Sequence, residues 1–177
     1  RISSGSITAM DVDFDSDGGD MELGSIIASK ARIHSKNGHV SAKNLSGLDI
    51  KVSSNDGDIE VGSINAENAW VEFGGNALIT SLACRSRIGD ENDDGSVKKK
   101  RAVLSMLHRG SIATVHGIDG NVEIREKSLD THQNKAGPSK IDLQLNQGAR
   151  CIDIYGGEKS GPEVLLHVAP QLDVDLE

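Results

Sequence analysis

Apolar and polar residues alternate over short stretches of this chain, as in Ile7-Thr8-Ala9 and Ile50-Lys51-Val52. A period of two predicts strands with one buried face. The stretches themselves recur. Gly19, Gly38 and Gly57 open the like phrases GDMEL, GHVSA and GDIEV at a spacing of 19 residues. A second set, GSITA, GSIIA and GSINA, opens at Gly5, Gly24 and Gly62, with Lys43 in the remaining slot. Stacked at this interval, Ile2, Met21, Val40 and Ile59 form one aliphatic column, and Ile7, Ile26, Leu45 and Ile64 another. Ala9, Ala28, Gly47 and Ala66 follow, then Val12, Ala31, Ile50 and Ala69, then Phe14, Ile33, Val52 and Val71.

Like columns at a fixed interval predict a parallel stack, because one rung cannot bury its own apolar face and residues one period apart become neighbours. Ile26 is expected against Ile7 and Leu45. Hairpins use the same Asn-Gly and Asp-Gly pairs but do not predict such columns. The expected fold is all-β: a single-domain parallel β-helix or β-solenoid over residues 1–177, with about 19-residue rungs of three short strands each. Gly18-Gly19, Asn37-Gly38 and Asp56-Gly57 mark corners, where positive φ angles are expected. The chain enters in mid-rung and leaves on the alternating LDVDLE, so it reads as a piece of a longer protein whose uncovered ends associate weakly end to end.

The period breaks twice, and both breaks read as loop insertions. Residues 89–101, GDENDDGSVKKKR, carry acids and then bases with no apolar period, and are expected to form an exposed, removable loop. Residues 127–140, KSLDTHQNKAGPSK, form the second. Alternation returns in AVLSML, in GSIAT and GNVEI, which open too close together at Gly110 and Gly120 for a full period, and in IDLQL, CIDIY and VLLHV.

Charge and composition narrow the function classes. Lys plus Arg number 19 against 27 Asp plus Glu, a net charge of −8 that opposes binding to nucleic acid or anionic membrane. No apolar run is long enough to insert in a bilayer. Aromatics are 2% of residues, so the core must be narrow and aliphatic. The sequence leaves the compartment open. Two outward columns, Asp11, Lys30, Asp49, Asn68 and Asp13, Arg32, Lys51, Trp70, alternate in sign wholly or partly. They read as solvated ladders, with a charge-reading surface as the sharper alternative.

Candidate chemistry is sparse. Asp20, His39 and Asp58 form a polar column whose carboxylates would lie two rungs apart, roughly 9.5 Å, near the separation used in inverting glycoside hydrolysis. Their place after a corner Gly better suits ordinary turn residues, since no long groove-forming loop or aromatic sugar platform accompanies the column. Asp90, Asn92, Asp94 and Gly95 match the start of a calcium loop, but Arg101 stands where a bidentate Glu is needed, so an acidic solvated loop is expected. Lys98 to Arg101 reads as charge balance before a localisation patch. His34, His108, His116, His132 and His167 have no metal-ligand spacing, and no phosphate or dinucleotide loop appears. Catalytic, cofactor and metal residues are therefore expected to be none. Cys84 and Cys151 could form at most one bridge and read as small buried hydrophobes.

The recurring NG/DG-x-[IV]-x-[VA] and GSI-x-A phrases, with the closing VLLHVAPQLDVDLE, resemble a family of uncharacterised, adhesin-like β-solenoid domains, bacterial with eukaryotic relatives. The likeness covers roughly residues 1–82 well and 110–177 loosely. It implies a non-catalytic structural or adhesive role, and a protein or cell-surface glycan as partner. A carbohydrate-active β-helix enzyme, a polysaccharide lyase or glycoside hydrolase using the Asp20, His39 and Asp58 column, is the alternative.

Overall fold

A computed structural model describes residues 1–84, 101–108, 110–126, 138–156 and 162–168. Among these, every regular element is a strand and every strand pair is parallel, forming a β-solenoid of about seven turns. Ile2–Ser4 (β1) and Ile7–Ser16 (β2) make the first turn, and Met21–Ser35 (β3), Val40–Ser54 (β4) and Ile59–Phe73 (β5) the next three. Ala77–Cys84 (β6) and Ala102–Met106 (β7) share the fifth, followed by Ile112–Glu126 (β8), Lys140–Tyr155 (β9) and Glu163–Val168 (β10).

The aliphatic columns become the core. Met21 pairs with Val40 and Val40 with Ile59, while Ile26 lies in register between Ile7 and Leu45. Buried residues from Met21 to Leu145 join one apolar cluster that runs up the middle of the stack. Each fully buried Ile or Leu contributes about 1.5–3 kcal/mol relative to exposure. The expected three strands per rung appear as single 15-residue strands in β3, β4 and β5. Between β3 and β4 the pairing skips Gly24 and Ser29, and those two corners divide the strand into three paired segments.

The corner glycines act differently from expectation. Gly18, Gly19, Gly38 and Gly57 do not take positive φ; among the described residues only Gly110, Gly117 and Gly120 do. Stacking is the physical reason for glycine here, because a Cβ on Gly38 would lie 2.4 Å from the Gly19 carbonyl oxygen one rung below. Buried serines close the same corners. The Gly38 amide donates to Ser35 Oγ at 2.9 Å, and the Gly57 amide donates to Ser54 Oγ at 3.0 Å.

The irregular half keeps its pairing and changes its spacing. Ala113 of the GSIAT phrase pairs with Ala77, and Val122 of the GNVEI phrase pairs with Ala102, so the crowded Gly110 and Gly120 phrases are two segments of one rung. Both predicted insertions end early. The Arg101 carbonyl accepts the Ala69 amide at 3.2 Å and begins the return to β7, while Lys140 is already in β9. Residues 89–100 and 127–137, the calcium-loop match, Lys98 to Lys100, His132 and the closing LDVDLE lie outside the described residues.

Candidate functional site

The Asp20, His39 and Asp58 column does line up, each residue immediately preceding the first strand of its rung. Asp20 Oδ1 accepts the His39 amide at 2.9 Å, and Asp58 Oδ1 accepts the Asn76 amide at 2.6 Å. Asn76 Oδ1 continues the series by accepting the Ile112 amide at 3.1 Å. Asp20, Asp58 and Asn76 thus each satisfy a backbone donor of the following rung, at a corner where the ladder would otherwise leave it open. The carboxylates lock register, as turn residues would, and a shared bond for a substrate would have to displace these bonds. His39 adds Glu60 as a neighbour, with Nε2 at 4.0 Å.

The two outward charged columns enclose the larger feature. Strand alternation buries the side chains of Ala31, Ile50 and Ala69, so between the columns the sheet presents its backbone as the floor of a groove parallel to the rod. Asp11, Lys30, Asp49 and Asn68 form one wall, and Asp13, Arg32, Lys51 and Trp70 the other, with Arg101 and Val103 at one end. Its volume is about 630 Å³. Arg32 Nη1 lies 3.9 Å from Asp13 Oδ2, and Asn68 Nδ2 donates to Asp49 Oδ1 at 2.9 Å. These exposed links are individually weak. Trp70 remains 37% exposed.

Sequence reasoning missed the charged cluster beside that groove. Glu123 is only 1% exposed, and its two carboxylate oxygens are held by Arg101 and Arg125. The Arg125 guanidinium also lies over the Tyr155 ring, 5.8 Å from its centroid. A signal existed in Glu123-Ile124-Arg125, since residues two apart on a strand share a face. Arg101 could not be found that way, because it arrives from across the insertion.

The remaining candidates separate. Both cysteines are unbridged, and burial pushes the Cys84 thiol up to about 12, which removes it as a nucleophile near neutral pH. His34 Nδ1 bonds Ser53 Oγ at 2.8 Å, His108 lies 3.2 Å from Asp56, and His167 lies 3.5 Å from Asp142. Among the described residues no group of three His, Cys, Asp or Glu could hold a metal ion. No helix there is long and apolar enough to cross a membrane.

Residues 1–73 match the model of a domain family described as Toastrack DUF4097. No curated protein and no solved structure matches the chain.

Proposed function

We propose that this chain is a non-catalytic, adhesin-like interaction module, a rigid rod that holds a linear polysaccharide in the groove between its two charged columns. The observation that carries this reading is the groove itself: about 630 Å³ along the rod axis, with Lys30, Arg32, Lys51 and Arg101 set among Asp11, Asp13 and Asp49 and with the Trp70 ring at one wall. Groups repeat along it once per rung, roughly every 4.8 Å, and so suit a ligand that is itself a repeat. A peptide strand is disfavoured because β-augmentation needs an open sheet edge, and the backbone on this floor is committed to the parallel ladder. The bonds from Asp20 and Asp58 to backbone amides argue against the enzyme alternative.

The test is a panel of acidic and neutral linear polysaccharides, scored for binding and for cleavage. The expected result is saturable binding without cleavage, weakened about tenfold or more by Lys51→Glu or Trp70→Ala and unchanged by Asp20→Asn. Cleavage that disappears in Asp58→Asn would overturn the proposal in favour of an enzyme. Binding indifferent to both groove substitutions would remove the groove from it.

A further inference from the structure

The sheet face next to the groove has a different chemistry. The second segments of the first three rungs, Ser6 to Met10, Ser25 to Ser29 and Asn44 to Leu48, contain no charged residue, in a chain with 19 basic and 27 acidic ones. On their outer side stand Met10, Ile27 and Leu48, which are 75%, 55% and 41% exposed. Exposed aliphatic side chains gathered on one uncharged face mark an interaction surface more often than scattered single ones do.

Their arrangement specifies the partner. Thr8, Ile27 and Ser46 are stacked in register in one column. Met10, Ser29 and Leu48 form the neighbouring corner column, where Ser29 Oγ reaches Met10 Sδ at 3.8 Å. The face therefore reads Thr-Met, Ile-Ser and Ser-Leu from rung to rung. Consider a second copy laid face to face with its rod antiparallel, related by a two-fold axis in the plane of contact through the middle rung. Ile27 then opposes the other copy's Ile27, Met10 opposes Leu48, Thr8 opposes Ser46 and Ser29 opposes Ser29. Apolar side chains meet apolar ones and hydroxyls meet hydroxyls, which is the self-complementarity that an isologous two-fold interface requires. A net charge of −8 disfavours most pairings of the chain with itself, and this patch carries none of that charge. The nearest charges are Lys43, at the opposite corner of the third rung where it would face the other copy's Gly5, and Glu67, in the fourth rung outside the three that match.

We infer that two copies of this chain pair antiparallel through this uncharged face, with Ile27 on the two-fold axis. Five residues by three rungs is a flat footprint of roughly 240 Å² per copy, from strand rise and rung spacing. That is well below the ~800 Å² per partner of a stable interface, so the pair is transient and concentration-dependent. It is also closed, whereas end-to-end stacking of rods would be open-ended. The groove lies on the adjoining sheet, so the pairing does not depend on what the groove binds.

Sedimentation of the chain up to about 1 mM reads the association directly, in the range where so small a footprint still pairs. The expected result is a monomer–dimer equilibrium that stops at the dimer. Ile27→Lys, which sets two like charges face to face, should weaken it about tenfold or more. Met10→Asp and Leu48→Lys should each weaken it similarly, and combining them in one chain should restore it, because the two positions meet only across the two-fold. A strict monomer at the highest concentration, an open-ended series of oligomers, a dimer indifferent to Ile27→Lys, or a double variant no better than either single one would overturn the inference. All three side chains are exposed, so these variants should keep the monomer's melting temperature, which serves as the control for folding.

Discussion

The rungs from Ile2 to Phe73 and those from Ala77 to Val168 build the same stack by different means. In the first region neighbouring residues are one fixed period apart, the corners carry Ser16, Ser35 and Ser54, and outward positions other than Ser53 remain at least partly in solvent. In the second, the spacing changes at every turn, register shifts occur between β8 and β9, and the corner column, which passes from serine to Phe73 at the end of the first region, continues as buried Met106 and then Glu126. Both faces of β7 are buried there, whereas the matching part of β5 keeps Trp70 partly exposed. The difference teaches that parallel register is the constraint and the 19-residue period only its simplest solution. A corner can take in extra chain provided the next segment returns to its column. The Toastrack family match ends with the periodic region, at residue 73.

The largest expected effect tests whether the stack is equally continuous in both regions. Ile26→Asp buries an unpaired charge in the periodic half and should cost about 4 kcal/mol or more. Ile118→Asp, also fully buried, should cost as much in the irregular half. Chemical denaturation of both variants reads this, and a mild effect at Ile118 alone would show that the second region is packed less tightly than the first.

Close approach of backbones comes next. Gly38→Ala forces a Cβ to 2.4 Å from the Gly19 oxygen, whereas a Cβ on Gly18 meets nothing closer than 3.9 Å. A loss of about 2–3 kcal/mol is expected for Gly38→Ala and nearly none for Gly18→Ala. Equal melting temperatures for the two variants would contradict the stacking account of the corner glycines.

In the irregular half, Arg101→Ala leaves buried Glu123 with Arg125 alone and should cost about 2 kcal/mol. Adding Glu123→Leu should recover most of that loss, since an apolar residue needs no ionic partner. The periodic counterpart is Ser54→Ala, which removes the acceptor for the Gly57 amide and the donor to the Gly38 carbonyl, both at 3.0 Å, and should cost about 1–2 kcal/mol. Urea midpoints order the two.

The smallest effect concerns Cys84, whose thiol burial raises from 9.0 to about 12. An unfolded chain ionises this thiol above pH 9.0 and the folded one does not, so its contribution is complete below that pH and is lost between pH 9.0 and about 12. At one pH unit above the unfolded value the loss is about 1.4 kcal/mol. Cys84→Ala should flatten this part of the stability profile, and a thiol reagent at pH 8 should modify Cys151 well before Cys84.

How much was legible follows from where each constraint acts. Every in-register column from Ile2 to Val71 could be read from residue types, because in a parallel stack neighbours in space are neighbours at a fixed interval in sequence. The columns that became the groove walls and the Asp20, His39 and Asp58 column were legible for the same reason. Their roles were not. Whether a carboxylate faces solvent or takes a backbone amide depends on corner geometry of less than an ångström. A groove between two columns depends on sheet curvature, which residue identity does not encode one position at a time. The Arg101, Glu123 and Arg125 cluster joins residues across an insertion, where sequence separation no longer reports distance. The alternation and the period determined the stack; the insertions, the corner hydrogen bonds and the meeting of charges across turns were decided in three dimensions, because they rest on where the chain returns rather than on what it repeats.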